Sequence, residues 1–134
     1  MKSRDTLIRL RRFQVEDKRR RAAQIEAMIA EFARMAADLD REIALEEQRA
    51  GISDTSHFAY PTYARAARTR RDNLLRSSDE LRSQLADARS HLDEALAELS
   101  KVQNLDGREK AAEHPAEAPS IALDMGTLGL RVRA

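Results

Sequence analysis

The chain has 134 residues, of which 35% are charged, 42% are hydrophobic and only 4% are aromatic. Because 23 of the apolar residues are alanines and there is no tryptophan, the hydrophobic core must be thin. Four glycines and three prolines are too few for the turns of a β-sandwich or barrel. The absence of cysteine excludes disulfides, thiolate zinc sites and cysteine nucleophiles, and a net charge of +1 excludes a uniformly basic protein.

The first predicted element is a long helix over about residues 3–50. Its apolar residues alternate in steps of three and four, as at the a and d positions of a coiled coil. No glycine or proline interrupts residues 1–50. The first seam formed by these positions comprises Ala22, Ile25, Ile29, Phe32, Ala36, Leu39 and Ile43, and continues backward through Lys18, Val15, Arg11 and Ile8.

The heptad pattern breaks at a predicted tip, about residues 51–61. Gly51 can adopt the left-handed conformation that ends many helices. Asp54 is of a type that begins helices, and Pro61 suits the first turn of a new one. A short helical turn between Asp54 and Tyr60 is also compatible with these residues.

A second helix is predicted over about residues 62–106, again with apolar steps of four and three. Gly107 is expected to end it, because Pro115 and Pro119 exclude a continuous helix beyond. Residues 107–134 have no apolar period and are expected to form a disordered tail. The second seam comprises Leu74, Ser78, Leu81, Leu85, Ala88, Leu92, Ala95, Leu99 and Val102.

The charges alternate along the chain in blocks. Residues 1–21 have nine basic and three acidic side chains, a net charge of +6, and residues 51–77 have a net charge of +3. Residues 22–50 and 78–106 each have a net charge of −4. An antiparallel pairing places each basic block beside an acidic one, whereas a parallel pairing juxtaposes like charges. The predicted fold is therefore an all-α, elongated, antiparallel two-helix coiled-coil hairpin over residues 1–106 with a flexible tail.

The sequence contains no recognisable catalytic or ligand-binding motif. His57, His91 and His114 are far apart, and no glycine-rich loop is placed to bind phosphate. A two-helix hairpin also lacks an enclosed pocket. We therefore expect no enzymatic activity, no metal and no cofactor, and the absence of an apolar run of about 20 residues predicts no transmembrane segment.

Two surfaces are candidates for binding a partner. The basic N-terminal block either pairs with the acidic end of the second helix or binds an acidic partner, and nucleic acid is less favoured because no set of aromatic side chains is placed to stack on bases. At the tip, the aromatic side chains either cap the seam or form an exposed hot spot, and both can hold if some rings pack inward.

The chain resembles the FliJ family of bacterial flagellar export proteins, in particular its alphaproteobacterial members, over about residues 1–106. The resemblance rests on MKSRDTLIRLRRFQVEDKRR, IEAMIAEFARMAADLDREI, RAGISDTSHFAYPTYARAA and RRDNL. The third of these segments, with its glycine and its HFAYPTY run, is the most specific. The tail departs from the family, whose members often continue the second helix.

This resemblance implies a non-enzymatic component of the flagellar type III export apparatus, cytoplasmic and peripherally associated with the membrane at the flagellar base. Such proteins look like the stalk of rotary ATPases: they bind the export ATPase ring and promote its assembly and activity, touch the cytoplasmic domain of the export gate, and handle export chaperones. By position, we expect the ring to meet Arg11, Arg12, Arg19 and Arg20, and the gate to meet Gln48, Ile52, Phe58, Tyr60 and Tyr63.

Two alternatives remain open at this stage. The chain could be a nucleic-acid- or ribosome-associated coiled coil that uses its basic arm. It could also be a homo-oligomeric coiled coil of purely structural role, with the seams paired between chains.

Overall fold

The computed structural model describes residues 2–113, with side chains over residues 3–112. That part of the chain contains two α-helices and no strand: α1 spans Lys2–Ala50 and α2 spans Thr62–Glu113. The all-α prediction and the bounds of the first helix are thus confirmed, as is the start of the second. Neither helix is long and apolar enough over the described residues to cross a membrane.

The prediction that Gly107 ends the second helix is wrong, because α2 continues to Glu113. A glycine inside a helix costs about 1 kcal/mol relative to alanine, which strong helix-forming neighbours can offset. Here Asp106 lies 3.2 Å from Lys110 one turn later. Arg4 of α1 also pairs with Glu109, beyond the glycine, so this segment gains tertiary contacts as a helix. The rest of the predicted tail, 114–134, lies outside the described residues.

Gly51 ends α1 as predicted. It has a φ of 69°, and its N–H donates to the carbonyl of Glu47 at 2.8 Å, while the N–H of Ile52 donates to the same carbonyl at 3.3 Å. These bonds satisfy a carbonyl that would otherwise lack a partner at the helix end.

The connection to α2 consists of hydrogen-bonded turns between Asp54 and Tyr60, where the sequence also allowed a short helical turn, and no continuous helix forms there. Asp54 accepts hydrogen bonds from the backbone N–H of Ser56 and from its hydroxyl, at 3.0 and 2.7 Å. Its carbonyl accepts from the N–H of His57, whose own carbonyl accepts from Tyr60. The carbonyl of Pro61 then accepts the N–H of Arg65 at 3.0 Å and opens α2.

The chain divides into two compact units, each containing part of both helices. The turn unit is residues 16–93, where α1 and α2 pack antiparallel on either side of the connection. Its core contains two clusters of buried apolar residues, all of them seam residues except Ala67. They are Ala22, Ile25, Leu81, Leu85 and Ala88 in one cluster and Leu39, Ile43 and Ala67 in the other.

Ion pairs across the turn unit give the direction of packing, since the number of the α2 residue falls as the number on α1 rises. They join Glu26 to Arg89 at 2.6 Å, Asp40 to Arg71 at 2.9 Å and Glu47 to Arg68 at 2.9 Å.

The terminal unit is residues 1–15 and 94–134, described over 2–15 and 94–113. Val15 and Val102 are its buried apolar side chains in that part. Arg4 lies 3.7 Å from Asp106, and Arg11 lies 3.9 Å from Glu98, which is again an antiparallel order. Basic side chains of the N-terminal block thus face the acidic segment of α2, as the charge pattern predicts.

Candidate functional site

Tyr60 is the aromatic residue of the connection that packs inward, with 4% of its surface exposed. Its hydroxyl donates to Oε2 of Glu47 at 2.6 Å and accepts from Nε of Arg68 at 2.8 Å. Arg68 also donates to Glu47 through Nη2 at 2.9 Å, and its guanidinium lies 5.9 Å from the tyrosine ring centroid. This three-residue cluster joins the end of α1 to the start of α2, which is the structural role that the sequence left open for Tyr60.

The cluster changes the electrostatics of its members. The hydrogen bond from Tyr60, followed by that from Arg68, lowers the pKa of the Glu47 carboxyl below its ordinary value. The hydrogen bonds of Arg68 with Tyr60 and with Glu47 raise the pKa of its guanidinium. Hydrogen bonds to a charged form favour that form, so the cluster holds an ionised carboxylate and a charged guanidinium.

The other predicted tip residues lie at the surface. Phe58 is 95% exposed, and its ring stacks on His57 with centroids 4.8 Å apart. Tyr63 is 51% exposed, and its hydroxyl donates to Glu42, which raises the pKa of the tyrosine. Gln48 is exposed and Ile52 is half-buried. An aromatic ring as exposed as that of Phe58 contributes little to packing within the chain, so it is available to a partner.

A shallow groove between α1 and α2 lies beside Tyr63, and it was not predicted from the sequence. It is lined in part by Met35, Leu39, Arg70 and Leu74. The available signal in the sequence was Met35, which lies next to the seam residue Ala36 and lines the groove; Met28, seven residues earlier, does not line it. Their flexible thioether side chains are each 39% exposed.

The four arginines predicted at the basic end fall into both units and have different environments. In the terminal unit, Arg11 is half-buried and donates a hydrogen bond to Gln14 at 3.1 Å, while its buried Nε has no hydrogen-bond partner among the described residues. Arg12 is exposed and forms no ion pair with any described residue. In the turn unit, Arg19 lies 3.4 Å from Glu16 and Arg20 lies 3.9 Å from Asp17 on the same helix.

Lys18 and Arg21 border an open groove in the turn unit that the sequence did not identify as a site. The groove has a volume of about 370 Å³ and is lined by Asp17, Lys18, Arg20, Arg21, Gln24, Ala88 and His91. Two signals were present in the sequence: a lysine on the first seam, and small Ala88 on the second. Pairing the two helices brings them to the same groove.

Within residues 2–113, no group of three side chains from the usual metal-ligating types is placed to hold an ion. No protein-family model, no curated protein and no solved structure matches the chain.

Proposed function

We propose that the protein is a non-enzymatic component of the bacterial flagellar type III export apparatus, a stalk-like coiled coil that binds the export ATPase ring and promotes its activity. In this role it also contacts the cytoplasmic domain of the export gate and export chaperones, at the cytoplasmic face of the membrane. The proposal starts from the resemblance of residues 1–106 to the FliJ family and is supported by the antiparallel packing of α1 and α2.

One observation carries the ATPase part of the proposal. Four cations of the N-terminal block, Arg9, Arg12, Lys18 and Arg21, form no ion pair within the described residues, although Arg4 and Arg11 face carboxylates of α2. Cations that form no ion pair within the fold are available to an acidic partner surface, and complementary charge raises the rate and specificity of association.

The gate part of the proposal rests on the connection between the helices. Phe58 and Tyr63 present exposed rings there, and aromatic side chains are frequent anchors of protein interfaces. Because Tyr60 is committed to Glu47 and Arg68, we assign gate contact to the exposed rings with Gln48 and Ile52.

The test is the rate of ATP hydrolysis by the purified flagellar export ATPase with and without the full chain. We expect stimulation by the wild type and weaker stimulation by the double variant Arg9→Glu, Arg12→Glu. The matched control is Arg41→Glu, which reverses an exposed arginine of α1 outside the basic block. Absence of both stimulation and co-sedimentation with the ATPase would refute the stalk role.

A second candidate function is binding to nucleic acid, favoured by the same unpaired arginines together with Phe13, an exposed aromatic side chain among them. It predicts an affinity for RNA or DNA that falls steeply between ~50 and ~200 mM salt. That behaviour, without an effect on the ATPase, would support this second function over the first.

A further inference from the structure

Within each unit, several described arginines form an ion pair with a carboxylate of the other helix. Within the turn unit, Arg68 meets Glu47, Arg71 meets Asp40 and Arg89 meets Glu26. Within the terminal unit, Arg4 meets Asp106 and Glu109. Matching of this kind compensates each charge inside the fold.

The groove at Lys18 and Arg21 departs from that pattern. Across from these cations, α2 contributes Ala88 and His91 to the groove rather than a carboxylate. Asp17 is the one carboxylate among the described residues that line it, and it lies 3.9 Å from Arg20 on its own helix. Three cations and one carboxylate give the lining an uncompensated charge of +2.

Lys18 also occupies a seam position at some cost to the coiled coil. Its side chain is half-buried where the heptad calls for an apolar residue, and a lysine at a seam position lowers stability. On the α2 side the groove is lined by Ala88, whose small side chain is buried in the core cluster with Ala22 and Ile25. A lysine at this seam position does not improve packing, and together with Arg20 and Arg21 it places several hydrogen-bond donors around one volume.

We propose that this groove binds a multiply charged phosphate anion, such as pyrophosphate, tripolyphosphate or the phosphate chain of a nucleotide. A guanidinium group can donate two parallel hydrogen bonds to phosphate oxygens, and an ammonium group attracts phosphate as a compact positive charge. Gln24 and His91 add polar groups at the rim. A single carboxylate would leave part of the +2 charge uncompensated, whereas a diphosphate compensates it fully, and a groove of about 370 Å³ accepts more than one phosphoryl group.

The proposal shares Lys18 and Arg21 with the proposed ATPase surface but does not require the export function, and it is tested on the full chain alone. Pyrophosphate and tripolyphosphate are titrated into the protein by calorimetry, with sodium chloride added to keep ionic strength constant. We expect saturable binding at one site and a midpoint of thermal unfolding that rises with ligand concentration, because a ligand that binds only the folded state stabilises it.

Two variants locate the binding. Lys18→Met places an apolar side chain on the seam, so it should fold with an unchanged or higher unfolding midpoint, yet bind pyrophosphate about tenfold or more weakly. Arg21→Gln should weaken binding to a similar degree and serves as the second variant if Lys18→Met alters helicity. The matched control is Arg12→Gln, which removes the same charge outside the groove and should bind like the wild type.

An equal loss of affinity in the control, or the absence of saturable binding at constant ionic strength, would overturn the proposal in favour of diffuse attraction to the basic segment. A single-stranded oligonucleotide that binds when pyrophosphate does not would overturn it as well. ADP distinguishes the sources of the anion: equal affinity for ADP and pyrophosphate shows recognition of the phosphate chain alone, and tighter ADP binding shows that the nucleoside adds contacts.

Discussion

Tyr60 and Tyr63 are only three residues apart, yet their hydroxyls have different roles. Tyr60 is almost fully buried, and its hydroxyl donates a hydrogen bond to Glu47 and accepts one from Arg68. That of Tyr63 reaches Glu42 at the exposed edge of the helix pair. A hydrogen bond contributes most where its loss would leave buried polar groups without a partner, so the first hydroxyl should matter more for stability.

Replacing Tyr60 with Phe should therefore lower the free energy of unfolding by about 1 kcal/mol, since the ring remains but both hydrogen bonds are lost. Tyr63→Phe is the matched control and should change it by less than about 0.5 kcal/mol, as surface substitutions do. Urea unfolding monitored by circular dichroism measures both. Equal effects of the two substitutions would contradict the difference in their environments.

The lowered pKa of Glu47 predicts how stability depends on pH. Because the folded-state pKa is below the ordinary value of 4.5, the unfolded chain binds more protons in the interval between the two values. The contribution of Glu47 is therefore fully present above that interval and is lost as the pH falls through the folded-state pKa.

Thermal unfolding of the wild type and Glu47→Gln between about pH 7 and pH 3 tests this dependence. The unfolding midpoint of the wild type should fall more steeply below about pH 4.5 than that of the variant. Asp54 also has a lowered pKa, from hydrogen bonds with Ser56, so some acid sensitivity should persist in Glu47→Gln. Parallel pH profiles of the two proteins would contradict a role for Glu47.

At the scale of the helices, two glycines have opposite effects on helix length. Gly51 has a positive φ, a conformation that costs L-residues about 1–2 kcal/mol, and it ends α1. Gly107 has no positive φ and lies inside α2, with open space where a Cβ would be. The same residue type therefore stops one helix and is tolerated by the other.

Gly51→Ala should destabilise the protein by about 1 kcal/mol, because alanine is strained in the left-handed conformation. Gly107→Ala should stabilise it by about 0.5–1 kcal/mol, because alanine loses less conformational freedom in a helix. The same chemical change at two sites provides its own control, measured by thermal unfolding. A shift of the same sign at both sites would contradict the assigned backbone conformations.

At the scale of the whole molecule, the two units differ in the apolar surface they bury. The terminal unit buries Val15 and Val102 over its described residues. The turn unit buries both core clusters as well as Tyr60 and Ala64. Since local opening is easiest where few apolar contacts oppose it, the terminal unit should open more readily.

Hydrogen exchange measured by mass spectrometry should therefore be faster in residues 2–15 and 94–113 than in residues 22–43 and 74–88. Val15→Ala should accelerate exchange in the first pair of segments and leave residues 74–88 unchanged, because it removes packing from the terminal unit only. Uniform protection along both helices would contradict the existence of two cooperative units.

Much of this fold could be predicted from spacing alone. The positions of the first seam from Ile8 to Ile43 are buried or half-buried, and Gly51 and Pro61 mark the ends of the helices beside the connection. The end of α2 could not be predicted in this way. The stop expected at Gly107 is overridden by helix-forming neighbours and by the pairing of Glu109 with Arg4, a contact between residues more than 100 positions apart.

The candidate sites were predictable in part. Sequence reasoning placed the aromatic residues of the connection together but could not assign inward and outward rings, since that depends on Glu47 and Arg68 in space. The groove at Lys18 was missed because its lining comes from two helices, and neither Lys18 nor Ala88 and His91 forms a recognisable motif alone.

The sequence by itself determined the helical class, the antiparallel order and the position of the connection. Heptad spacing predicts helices, the alternation of charge blocks favours antiparallel pairing, and Gly51 marks the end of α1, and each of these features can be seen in the sequence without knowing the three-dimensional contacts. Only the tertiary structure decided which charges are compensated, since pairing depends on which side chains the register brings opposite each other. The net charge of +1 thus includes cations matched within the fold and four in the N-terminal block, Arg9, Arg12, Lys18 and Arg21, that no described carboxylate pairs with. The proposed function depends on all four of these cations, and the phosphate groove depends on Lys18 and Arg21 among them.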